Sequence, residues 1–186
     1  FLGICVIIED LTKSSLRNSQ MIFAPNIIKT CPICNRKLTF SETLSENNFG
    51  AQYRTDGRVG GRMMLGQQRF LRCPNGKHTF WSKDTKYYST SKEYWVNQKY
   101  NRKNASLVRG PEKPLVKDFV LAIENKEFQN LDEEIFLRLE YWRTENDERL
   151  RFKKEKALTK KQIDNINVLL NILDRTNIIW IAELYR

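Results

Sequence analysis

The period of the hydrophobic positions changes at Pro114. Beyond it Val116, Phe119, Val120 and Ile123 lie at i, i+3, i+4 and i+7, the spacing that gathers apolar side chains on one helix face. Ile135, Leu139 and Trp142 form a second stripe after the acidic start Asp132-Glu133-Glu134, whose charges suit a helix N-terminus. Thr159 with Gln162 three residues later is an N-cap pattern, and it opens a third helix carried by Ile163, Ile166, Leu169, Leu170 and Leu173. Asp174 to Asn177 breaks that helix, and a fourth is predicted from near Ile178. Each stripe needs an apolar partner across a short connection, so helical hairpins are the expected packing.

Upstream the pattern is short and β-like from Cys31 to Trp81. Phe49 to Tyr53, Val59 to Leu65 and Phe70 to Arg72 read as strands, with Asp56-Gly57 as a turn dipeptide and Gly57, Gly60, Gly61 and Gly66 arguing against a helix. From Ser82 to Pro114 the chain is polar and rich in Lys, Asn and Tyr, which predicts a linker or extended loop. The apolar run Phe1 to Ile8 lacks a basic segment before it and meets Glu9 and Asp10 at once, so it does not read as a signal peptide. Residues 1–20, ahead of Met21, read as an extension or fragment edge, and the end at Arg186 reads as mid-helix, the mark of a truncated chain.

A chain of 186 residues with 40% hydrophobic composition can bury a real core as one domain or two small ones. Its formal charge of +10 is local: residues 51–110 hold 13 Lys/Arg against 3 Asp/Glu, whereas 111–186 hold 14 against 15. No stretch approaches the roughly 20 apolar residues of a membrane helix, so a soluble protein without membrane partners is expected. Four cysteines, unevenly placed, do not suit a disulfide scaffold, which points to a reducing, cytoplasmic setting.

Those cysteines carry the sharpest chemistry. Cys31-Pro32-Ile33-Cys34 presents two thiols from one tight turn, and Cys73-Pro74-Asn75-Gly76-Lys77-His78 supplies a third Cys and the single His of the chain. Two half-sites on separate turns, with Cys and His donors, predict one structural zinc ion held by Cys31, Cys34, Cys73 and His78. The alternative is a set of free buried cysteines with a surface His; Cys5 lies apart and gets that reading.

The run Cys31-Pro32-Ile33-Cys34, then Arg54-Thr55-Asp56-Gly57-Arg58, Met63-Met64-Leu65, Phe70-Leu71-Arg72-Cys73-Pro74 and Phe80-Trp81, resembles a group of uncharacterised bacterial zinc-ribbon proteins over residues 29–82. The resemblance implies paired Cys-Pro-x-Cys knuckles and a helical, tetratricopeptide-like continuation, and it implies no reaction. Here the fourth cysteine of the pattern falls on Gly76, so either His78 replaces it or the site has three protein ligands. The expected architecture is α+β: a zinc-ribbon domain at 21–82, a basic aromatic-rich linker at 83–114 and a helical region at 115–186.

Three functions compete. An enzyme is disfavoured, because a catalytic zinc keeps an open position beside a general base and no second His or nucleophile set accompanies the site. A nucleic-acid-binding role, for single strands or RNA, would use Arg54, Arg58, Arg62, Arg69, Arg72, Lys83 and Lys86 on phosphates and Tyr94 and Trp95 for stacking. A protein-interaction adaptor would use the rigid ribbon and helices, with Phe80-Trp81 and Met63-Met64 as an apolar patch. The adaptor reading leads, because the helical half has balanced charge; no small-molecule substrate is expected. Arginines of 54–72 sharing one open face would instead favour nucleic acid.

Overall fold

Short β-branched and aromatic runs make the first half of the molecule and amphipathic runs make the second. The structure, a computed structural model, describes residues 26–41, 50–60, 68–91, 93, 108–151, 157–173, 181 and 184. Within them lie β1 (Ile27–Thr30), β2 (Lys37–Phe40), β3 (Gln52–Tyr53), β4 (Val59–Gly60), β5 (Phe70–Arg72), β6 (Thr79–Trp81) and β7 (Lys86–Thr90). The helices α1 (Val116–Glu124), α2 (Leu131–Arg151) and α3 (Lys160–Ile172) follow, so the chain is α+β. All strand pairs are antiparallel: a sheet in the order β2-β1-β7, and the two-stranded sheets β3-β4 and β5-β6.

Two expectations change. The stretch read as linker contributes β7, which pairs with β1 through Ile27↔Thr90 and Thr30↔Lys86, with a register shift between Ile28 and Lys29. Its Lys-Tyr-Tyr-Ser-Thr sequence is polar enough to resemble a loop, yet Tyr and Thr fit a pleated sheet edge. Residues 108–112 are likewise built in: the Arg109 carbonyl accepts from the Thr39 N–H at 3.2 Å, and Glu112 exchanges backbone bonds with Arg72 at 3.0 and 2.8 Å. That segment therefore ties the β1-β2 sheet to β5. The other change concerns Phe80 and Trp81, which are buried rather than forming an exposed patch. Met63, Met64, Cys5, residues 1–20 and the start of the expected fourth helix lie outside the described residues; Ile181 and Leu184 are helical and pack with α2 and α3.

The pairing Phe70↔Trp81 and Leu71↔Phe80 sorts side chains onto the two faces of β5-β6. Leu71 and Phe80 join Cys31, Leu38 and Cys73 in one buried cluster. Phe70 and Trp81 turn the other way and join Phe119, Ala122, Leu137 and Tyr141 of α1 and α2. Phe70 and Trp81 meet edge to face with ring centroids 5.1 Å apart, and the Trp81 indole N–H donates to the Glu127 carbonyl at 2.7 Å.

Helix ends follow local chemistry. The Asp118 carboxylate accepts from the Leu115 N–H at 2.8 Å to start α1, and Lys126 at φ 52° ends it, with the Glu127 N–H bonding the Ala122 carbonyl. At the start of α2 the Asn130 side chain accepts from the Glu133 N–H and the Glu133 carboxylate from the Gln129 N–H, and Thr159 with Gln162 caps α3 as the sequence predicts. Helix α2 buries two stripes. Leu139 and Trp142 face Leu169 of α3 and Leu173 at its C-cap, while Leu137 and Tyr141 face α1 and the β5-β6 sheet.

Because the aromatic core joins sheet to helices, Phe119→Ala is expected to cost about 3 kcal/mol through lost burial and the cavity left. Urea unfolding followed separately by tryptophan fluorescence and by helical circular dichroism should give one coincident, shifted transition. Two separated transitions would show that sheet and helices do not share a core.

Candidate metal centre

Two turns of the same construction face each other. In the first, the Cys31 carbonyl accepts from the Asn35 N–H at 3.0 Å and the Cys31 N–H donates to the Arg36 carbonyl at 2.9 Å. In the second, the Cys73 carbonyl accepts from the Lys77 N–H at 2.9 Å and the Cys73 N–H donates to the His78 carbonyl at 2.8 Å. Asn35 and Lys77 both sit in the left-handed region, at φ 56° and 57°, so the backbone reverses at equivalent places. Each turn hangs on a hairpin, β1-β2 and β5-β6, and that places Cys31 and Cys73 in the buried core.

The donor atoms of Cys31, Cys34, Cys73 and His78 all lie within 4.8 Å of one another, close enough to bind a metal ion. Cys31 Sγ is 3.2 Å from His78 Nε2, and Cys34 Sγ is 3.7 Å from Cys73 Sγ. Cys31 and Cys73 are fully buried, whereas Cys34 and His78 are half-buried and form the solvent side of the cluster.

By the equivalence of the turns, Gly76 stands where the first turn has Cys34, and His78 stands where it has Arg36. The imidazole folds back over Gly76: a Cβ there would come within 2.3 Å of His78 Nδ1 and 2.5 Å of Cε1. Gly76 is thus required for space and not for its backbone angle, since it is not among the positive-φ glycines. The vacancy in the Cys-Pro-x-Cys pattern and the placement of the imidazole are one feature.

The thiols are unequal. Burial pushes the Cys31 thiol up to about 11. At Cys34 burial acts upward as well, but the Arg36 backbone N–H and the neighbouring Cys31 and Cys73 side chains outweigh it and hold the thiol below its usual value. Cys34 therefore ionises before Cys31.

The basic residues singled out in the sequence lie elsewhere, and most have carboxylate partners. Arg54 and Arg58 flank the Asp56-Gly57 turn and reach Asp147 of α2 at 3.2 and 2.5 Å, and Arg58 also pairs with Asp56. Asp56 accepts from the Arg58 N–H at 3.1 Å, and its carbonyl takes two bonds from Arg143 of α2, at 3.0 and 2.6 Å. Arg69 pairs with Asp132 at 2.6 Å and lies over the Phe136 ring; Lys83 pairs with the buried Glu133. Arg72 reaches the buried Asp118 at 3.3 Å and the Lys77 carbonyl at 3.3 Å, which links the second metal-site turn to the start of α1. Arg54, Arg58, Arg69 and Arg72 are each paired to a carboxylate. Lys86 is exposed on β7, and Arg62, Tyr94 and Trp95 lie outside the described residues.

No signal in the sequence announces Asp118, Asp132, Glu133 or Asp147 as partners of these bases, because the pairs are 46 to 93 residues apart. Among the described residues, no helix is long and apolar enough to cross a membrane. No family model, curated protein or solved structure matches the chain.

Two outcomes follow from this geometry. Gly76→Ala is expected to expel the imidazole and lower metal affinity to the level of His78→Ala; cobalt-loaded spectra of the two variants should coincide. An unchanged Gly76→Ala spectrum would show that His78 does not reach the cluster over this glycine. The second concerns acid stability. The Arg58 hydrogen bond holds Asp147 below its usual value, and at Asp56 the Arg58 bonds do so against burial. Their folded pKa values lie below the unfolded ones, so the stability they add is present above the unfolded carboxylate range and lost as pH falls through the folded values. Asp147→Asn should flatten the stability loss below about pH 4 in urea titrations, while an unaltered profile would count against these pairs.

Proposed function

We propose that Cys31, Cys34, Cys73 and His78 hold one structural zinc ion and that the protein is a zinc-ribbon adaptor for another protein. The single observation that carries the first part is the convergence of four Cys and His donors from two matched turns. Sulfurs about 2.3 Å from a tetrahedral centre stand about 3.8 Å apart, and the Cys34–Cys73 separation of 3.7 Å fits that edge. Three thiols and an imidazole are a donor set that zinc favours, and four protein donors leave no open position for a reacting water. Free thiols in the cluster fit a reducing compartment such as the cytoplasm.

Charge placement supports the adaptor reading over nucleic acid. Arg54, Arg58, Arg69, Arg72 and Lys83 are paired to carboxylates, so their charge is spent on holding sheet to helix rather than offered to phosphates. A nucleic-acid role would rest on β7, where Lys86, Tyr87 and Tyr88 are exposed.

Metal analysis of the purified chain should find one zinc per molecule. Exhaustive chelation should unfold the two hairpins, because so small a cluster needs the metal's binding free energy. Unchanged circular dichroism and protease resistance after chelation would overturn the structural-zinc reading. Structural zinc supplies roughly 10–16 kcal/mol, so loss of one ligand in His78→Ala should cost about 3 kcal/mol, near 100-fold in affinity. Adding Gly76→Cys to His78→Ala should restore it by recreating the first turn's thiolate. Salt-dependent binding of single-stranded oligonucleotides that is abolished by replacing Lys86 and Tyr87 would move the choice to nucleic acid.

A further inference from the structure

An open groove of about 640 Å³ runs between α1 and the start of α3, floored by α2. Its α1 wall is apolar: Leu121 is 53% exposed and Leu115 43% exposed, beside the half-buried Val120. Leaving such a side chain in water forgoes about 2 kcal/mol of burial, so two neighbouring leucines make this wall ready for cover. The floor is acidic. Glu145 and Glu148 line it one turn apart on α2, while Thr159 and Lys161 line the α3 side, and burial together with the charge of Glu148 raises the Glu145 carboxyl above its usual value.

Glu124 on the rim is already paired with Lys161 at 2.8 Å, and Glu145 accepts a bond from Gln162 at 2.8 Å. Arg149 beside them on α2 draws the Glu145 carboxyl back down, but burial and Glu148 outweigh it. Lys117 lies on the α1 rim with the leucines. The walls are helices, whose backbone groups are used internally, so no strand can add to them; recognition has to come through side chains, as when an amphipathic helix lies in a groove. An acidic floor repels phosphate, which disfavours nucleic acid and anionic lipid surfaces at this place.

We propose that this groove docks a basic amphipathic helix of a partner protein, with its apolar stripe on Leu115, Val120 and Leu121 and a Lys or Arg set between Glu145 and Glu148. The proposal rests on the adaptor reading and says where the partner sits and what chemistry it carries.

A phage-displayed library of helical 16-residue peptides, panned on the full chain purified with its metal, tests it. Selected peptides should carry apolar residues at i, i+3 or i+4, and i+7, with Lys or Arg on the flank. The best peptide should bind Leu121→Glu about tenfold or more weakly, and Glu148→Lys likewise. Both positions are exposed, and circular dichroism checks that both variants fold. Peptides that bind both variants as tightly as the parent would overturn the groove and leave the adaptor reading standing. Selected peptides without basic residues, indifferent to Glu148→Lys, would overturn the assigned charge. Should no peptide be selected, the groove proposal falls, and the adaptor reading stands on its own test. If, in addition, Leu121→Glu shifts the amide resonances of residues 152–156 in the free protein, the chain fills its own groove.

Discussion

Two strands of three residues each, β5 and β6, must serve two cores at once. With so few positions there is no spare face. Leu71 and Phe80 cover the Cys31–Cys73 cluster, and Phe70 and Trp81 meet the helices across a sheet only one layer thick. Everything else depends on this alternation. A one-residue slip of β6 against β5 would send Trp81 toward the Cys31–Cys73 cluster and Phe80 toward the helices, and would displace His78 from Cys31. The Cys-His cluster and the helical half are therefore specified by the same few hydrogen bonds.

Electrostatics reinforces that layering. The excess of Lys and Arg in residues 51–110 looks like a footprint for a polyanion, but in three dimensions much of it meets the acidic side of α2 and the start of α1. Several pairs are partly buried, where the attraction is less screened and where leaving one partner alone is expensive. Arg143, buried beside Asp56, pins the turn to α2 through a carbonyl rather than a carboxylate. The internal anion for the basic half is the protein's own helical half.

Much of this was legible in the sequence, and the rest was hidden for physical reasons. The helices α1 and α3, the Thr159 cap, β5, the Asp56-Gly57 turn and the cluster of Cys31, Cys34, Cys73 and His78 all follow from period, cap chemistry and ligand spacing. The second stripe of α2 was missed because a helix buried on two sides blurs its own periodicity: Leu137 and Tyr141 sit off the line of Ile135, Leu139 and Trp142. Strand β7 was missed because an edge strand with polar residues carries little hydrophobic alternation. The ion pairs were invisible because charge type says nothing of which distant carboxylate a base will meet.

The relation of Gly76 to His78 has a consequence for how this centre can change over time. One molecule holds both solutions to the same geometric problem: in the first turn the second donor sits three residues after the leading cysteine, and in the other turn it sits five residues after and leans back. Passing from the second solution to the first can begin at either position, and the two beginnings differ. A cysteine at 76 displaces the imidazole but brings its own thiolate, whereas loss of the imidazole alone leaves the cluster a donor short. The two positions are thus strongly non-additive, and position 76 is the one through which a single substitution exchanges one donor arrangement for the other.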